Sequence, residues 1–147
     1  MDNGYKYGFI CNSDGHKGNP GANGLTAVYA KELTKEAILG AIRKRNVYGT
    51  TNARIKLLFT IDNQLMGSEI DFCKGMPMVI DVVGENTIKS VDIVANGKII
   101  KRYEPKSLKF HIEEKLDGYY EKIYIKVLQV DNHIAYSSPI FLNRLSK

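Results

Sequence analysis

The chain has 147 residues, 44% hydrophobic and 25% charged, with nine Tyr, five Phe and no Trp, which is the composition of a soluble globular protein with bulk enough for a core. Lys and Arg number 21 against 16 Asp and Glu, leaving a formal charge of +5. The excess is scattered, with its densest cluster at Arg43-Lys44-Arg45, so it reads as a solvated surface and argues against a nucleic-acid partner.

The N-terminal run Met1-Asp2-Asn3-Gly4-Tyr5-Lys6 has no apolar signal core, and no later run reaches the length of a membrane span. The expectation is a cytoplasmic protein without a membrane partner. The sequence does not say whether Met1 is the natural start. An apolar run from Tyr7 to Cys11 predicts a buried strand that stops abruptly at polar residues. A Gly-rich loop follows from Asn12 to Asn23, carrying Gly15, Gly18 and Gly21, interrupted by Pro20 and closed by Gly24. A connection this long is more often functional than a simple turn.

Thr34 is a plausible N-cap, Glu36 suits the first helical turn, and Ala37, Ile38, Ala41 and Ile42 recur at three-to-four spacing. Lys44 and Arg45 then suit the negative end of the helix dipole. Near residue 53 the period changes from helical to two. Leu57, Phe59 and Ile61 alternate with Lys56, Leu58 and Thr60 up to a turn at Asp62-Asn63; Met78, Ile80 and Val82 alternate again. Val91 to Val94 and Ile99-Ile100 flank Asn96-Gly97, a strong hairpin signal. Leu108, Phe110 and Ile112 alternate up to a turn at Asp117-Gly118. The longest predicted strand runs from Tyr120 to Val130, with Ile123, Ile125 and Val127 on one face. A turn at Asp131-Asn132 returns the chain through Ile134 to Tyr136, and Ser138-Pro139 opens a last strand, Ile140 to Leu142.

These short, regularly spaced strands predict a mainly β protein: an immunoglobulin-like antiparallel β-sandwich over 53–147, preceded over 1–52 by a strand, loop and helix. Cys11 and Cys73 lie in dissimilar contexts and are expected to be free thiols.

Asp14 and His16 are the candidate metal ligands. A carboxylate and an imidazole two positions apart, at the end of a strand, suit Zn, Mn or Fe. A catalytic zinc needs three protein ligands and an open position, and the chain offers no His-x-His. Its other histidines, His111 within a strand pattern and His133 after a turn, read as surface or rim residues. The loop Gly15-His16-Lys17-Gly18 lacks the Gly-Lys-Ser/Thr of a phosphate cradle, so its glycines are expected to serve positive-φ positions. Cys11 and Ser13 near His16 allow a nucleophile and base to be written down, but residues so close on one extended segment seldom face each other.

Several ordered pieces together resemble a known family. They are Ser13-Asp14-Gly15-His16, Pro20-Gly21, Gly24 to Ala30, Leu33 to Ile38, Tyr48-Gly49-Thr50-Thr51, Arg54-Ile55, Met66-Gly67, Val127 to Asp131 and Ala135 to Ile140. This order resembles the C-terminal third of an uncharacterised family related to PHP-domain metal-dependent phosphoesterases. Gly15 stands where that family usually has a hydroxyl residue, Tyr29 where it more often has Trp, and Asp131-Asn132 where Asp-Gly is more typical. The resemblance implies that residues 1–52 are the last strand, ligand loop and helix of a distorted β/α barrel, with Asp14 and His16 the final metal ligands. In the whole protein the metal would activate water and polarise a phosphate ester. The upstream His-x-His and the middle Glu and His motifs are absent. The implied function is therefore the C-terminal region of a metal-dependent hydrolase, inactive alone and completed by a missing N-terminal barrel portion. The alternative is a β-sandwich interaction module that forms a homo-oligomer or docks on a partner, because an unpaired N-terminal strand needs an edge to pair with.

Overall fold

A computed structural model of the protein describes residues 4–16, 18–19 and 21–144. Met1, Asp2, Asn3, Lys17 and Pro20, named above, lie outside the described residues.

In chain order the described residues form β1 (Leu25–Val28), α1 (Lys35–Arg43), β2 (Val47–Thr50), β3 (Lys56–Ile61), β4 (Gln64–Leu65) and β5 (Glu69–Asp71), then β6 (Met76–Ala95), β7 (Lys98–Tyr103), β8 (Ser107–Leu116), β9 (Lys122–Gln129), β10 (Ile134–Ser137) and β11 (Ile140–Asn143). The protein is mainly β. Its strands join one curled sheet, antiparallel except where β11 lies parallel to β5.

The organising element is β6. Its first half pairs with β3 on one edge and β8 on the other, its second half with β9 and β7. Register shifts between Val83 and Ile88 mark the change of partners, which is how a bulge bends and twists a strand. Gln129, fully buried, supports the bend: its Oε1 accepts from the Asn86 N–H (3.2 Å) and its Nε2 donates to Asp131 (3.0 Å). The polar run Gly84-Glu85-Asn86-Thr87 thus sits inside a strand of 20 residues, where the sequence pattern suggested two separate strands.

The alternating residues of β3, β6 and β9 meet as expected, whereas in β8 Leu108 is exposed and Phe110 and Ile112 are only half-buried. Leu57, Phe59 and Ile61, Met78, Ile80 and Val82, and Ile123, Ile125 and Val127 are each at most 2% exposed and share one core. Two of the hairpin tips, Asp62-Asn63 and Asn96-Gly97, have positive φ at both residues, the tight turn whose twist matches antiparallel strands; at the tip between β9 and β10 only Asn132 does. Helix α1 begins where Thr34 Oγ1 accepts from the Ala37 N–H (3.3 Å). Only Ala41 of its apolar stripe is fully buried; Ile42 is exposed.

The first fifty residues are tied into the rest. β2 lies between β1 and β10. Tyr29 and Tyr48 reach across to β3 and the residue before it: the Tyr29 hydroxyl donates to Leu57 O (2.6 Å), and that of Tyr48 donates to Ile55 O (2.9 Å) and accepts from the Leu57 N–H (3.3 Å). Burial holds both phenols above their ordinary pKa. Among the described residues, no helix is long and apolar enough to cross a membrane.

Candidate functional site

The segment from Tyr5 to Asn12 does not form the strand predicted over Tyr7 to Cys11. It has no regular secondary structure, and Tyr7 and Ile10 are exposed. The reason is where it lies: on the face of the sheet, where ladder partners are already used, and not along an edge.

Side chains supply its hydrogen bonds instead. Phe9 N–H donates to Ser138 Oγ (2.9 Å), and Ser138 Oγ donates to Val47 O (2.5 Å). Thr26 Oγ1 accepts from the Cys11 N–H (3.1 Å) and donates to Cys11 O (2.7 Å), doing with one hydroxyl what a neighbouring strand would do with its backbone. The Phe9 ring meets Tyr124 and Tyr136 edge-on, with centroids 5.3 and 6.4 Å apart. Upstream, the Lys6 ammonium donates to Glu69 (2.7 Å), which also accepts from Arg45 (2.7 Å). The Lys6 hydrogen bond holds the Glu69 carboxyl below the usual carboxylate range; burial opposes it, and the charges of Lys6 and Arg45 and the Arg45 hydrogen bond add to it.

Glycines make the close approach possible. A Cβ on Gly24 would stand 2.6 Å from Asn12 O, and one on Gly49 would stand 3.0 Å from Cys11 N and closer still to its sulfur. Thr26 and Gly49 are direct cross-strand partners, and Gly49 is paired in turn with Tyr136. The seat is therefore one row of the sheet: a hydroxyl, a gap and an aromatic ring. Glycine inside the strand Val47-Tyr48-Gly49-Thr50 was the one sequence signal for it, since such a residue often marks close backbone approach. Thr26 and Ser138 had no such signal. Cys11, predicted buried, is half-buried, and burial pushes its thiol pKa up; Cys73 is exposed.

Asp14 and His16 follow directly on this segment, both exposed. Asp14 has φ +43°, and its N–H donates to Asn12 Oδ1 (3.0 Å), closing a local turn. Asn23 Nδ2 reaches Ser13 O at 3.4 Å. Gly18 and Gly21 take the positive φ expected of this loop, and Gly15 does not. Among the described residues no cluster of three or more His, Cys, Asp or Glu side chains could hold a metal ion. The other histidines lie elsewhere: His111 faces Asp81 across β6 and β8 at 3.7 Å, and His133 Nδ1 sits 3.3 Å from Thr51 Oγ1. Two exposed donors fall short of the three that a catalytic zinc requires. By themselves the described residues do not fit a resident cation.

The model of a family described as a protein of unknown function (DUF3604) matches residues 19–75, a stretch that begins after Asp14 and His16. An uncharacterised protein of Chlamydia pneumoniae is 29% identical over 82% of this chain and 23% of its own length. One of Chlamydia trachomatis is 28% identical over 97% of this chain and 26% of its own length, and one of Chlamydia muridarum is 26% identical with the same coverage. No solved structure matches. The chain spans about a quarter of the length of the curated relatives it matches.

Proposed function

We propose that this chain is the C-terminal, β-rich region of a larger PHP-like metal-dependent hydrolase of the phosphoesterase type, contributing Asp14 and His16 to a centre whose other donors lie outside it. On this reading residues 1–52 are the end of a β/α barrel and residues 53–147 an appended immunoglobulin-like sandwich. The supporting observation is where the apolar surface lies. Of the ten exposed large hydrophobics among the described residues, six fall between residues 5 and 42: Tyr5, Tyr7, Ile10, Leu33, Leu39 and Ile42. The stretch that carries Asp14 and His16 is thus also the stretch with apolar side chains left over for more protein to cover. The chain's short share of its relatives' length agrees with this.

The test is hydrolysis of p-nitrophenyl phosphate by the purified chain with Mn or Zn supplied. The expected result is no turnover above buffer. Metal-dependent turnover that disappears in His16→Ala would show that the chain carries a complete centre and overturn the incompleteness argument.

A second reading has its own support in the same six side chains: an interaction module that covers them by self-association. Light scattering across a hundredfold range of concentration is then expected to show a mass that rises from monomer toward dimer. A strictly monomeric mass throughout rules this reading out and leaves the hydrolase reading untouched.

A further inference from the structure

We infer that Gly8 to Asn12 is a clamped strap that fixes where the Asp14–His16 loop sits relative to the β-sheet, with Thr26, Gly24 and Gly49 as its positioning residues. The inference deepens the hydrolase reading and rests on it for the purpose of the loop, but the clamp itself stands on contacts within this chain.

The strap and the residues leading into it are held at successive points. Lys6 is paired to Glu69, Phe9 is bonded to Ser138 and flanked by Tyr124 and Tyr136, Cys11 is bonded twice to Thr26, and Asn12 lies against Gly24. Asp14 comes two residues after the last of these points. Its turn is closed onto Asn12, the clamped residue itself, so the first ligand inherits its position from the clamp through a single hydrogen-bonded link. The seat, meanwhile, is built on β1, β2 and β10, strands locked to one another by their ladders. A ligand loop tied in this way is carried by a rigid element, as a metal centre assembled from separate parts of a chain requires.

The glycines argue that the fit is specific. Alanine at Gly24 would drive its Cβ into the Asn12 backbone, which has no rotamer by which to yield. Thr26 supplies both a donor and an acceptor to one residue; valine, of the same shape, supplies neither.

The two cysteines make the clamp measurable. In the wild-type protein a soluble maleimide should label exposed Cys73 rapidly and strap-held Cys11 at least tenfold more slowly. Thr26→Val and Gly24→Ala should raise the Cys11 rate toward that of Cys73 without changing the latter, and Thr26→Ser should restore slow labelling. A second readout reports position. With Cys11 and Cys73 replaced by Ser, spin labels at His16→Cys and Lys98→Cys should give a narrow distance distribution that broadens when Thr26→Val is added. Cys11 labelling as fast as Cys73 in the wild type, or a distance distribution indifferent to Thr26→Val, overturns the inference. Thr26 is exposed, so its valine variant folds even if Gly24→Ala does not. Neither readout involves a metal. A rigid strap in a protein whose longer form proves to bind no cation supports the clamp and weakens the hydrolase reading; a loose strap overturns the clamp and leaves that reading where it was.

Discussion

Replacing Phe59 by alanine lowers the unfolding free energy by about 3–5 kcal/mol. Phe59 is fully buried in β3, between Leu57 and Ile61 on the same inward face, and its cross-strand partner is Ile80 of β6, also fully buried. Its carbonyl accepts from the Met66 N–H (2.9 Å), which ties β3 to the residue that follows β4. Interiors packed this closely recover only part of a deleted ring's volume, so the cavity cost adds to the lost transfer free energy. Urea unfolding followed by far-UV circular dichroism reads the effect as a fall in midpoint at unchanged slope. Leu108→Ala, at a side chain 52% exposed on the outer edge, is the comparison and should stay within about 0.5 kcal/mol of wild type. Equal losses at the two positions would mean that the core is not centred on Phe59 and its buried neighbours.

That alternation was the legible part of the chain. Where one face of a strand is buried, the period-two pattern survives in the sequence, so the inward residues of β3, β6 and β9 could be named in advance. Asn96-Gly97 and Asp62-Asn63 were legible for a different reason, since both central residues of such a turn need positive φ. The illegible parts are those where distant residues decide. β1 and β2 are four residues each and both lie in a glycine-bearing context, so no local pattern separates them from loop. The bend of β6 reads as a turn because its polar residues are satisfied by Gln129, forty-odd residues later. The run Tyr7 to Cys11 has a strand's composition but lies across a sheet face, where Thr26 and Ser138 take the place of a ladder. Asp14 and His16 stand out in the sequence as a carboxylate and an imidazole two positions apart, and the structure places both exposed, with no third His, Cys, Asp or Glu beside them among the described residues.

Gly67→Ala is the other large expected loss, about 2–6 kcal/mol, from a backbone cost of about 1–3 kcal/mol and a steric cost of similar size. Gly67 has φ +93°, outside the range an alanine adopts comfortably. A Cβ there would stand 2.8 Å from Arg45 Cβ and nearer still to the Arg45 carbonyl. Neither partner can retreat. Gly67 N–H donates to Pro139 O (3.0 Å), and its carbonyl accepts from Arg45 Nε (2.9 Å). Asn46 Nδ2 donates to Met66 O (2.9 Å), fixing the preceding residue as well. Arg45 itself has φ +61° and follows the helix terminus, so the contact locks the end of α1 onto the turn before β5. Pushing Arg45 away would also strain its ion pair with Glu69, which holds Lys6 at the start of the strap. Gly40→Ala gives the opposite sign. Gly40 lies inside α1 with nothing within 4 Å of an added Cβ, so the substitution should gain about 0.5–1 kcal/mol from reduced freedom of the unfolded chain. Thermal unfolding of the two variants side by side tests the argument. A Gly67→Ala protein as stable as wild type would mean that the turn rearranges freely and that its approach to Arg45 is not what joins the helix to the sheet.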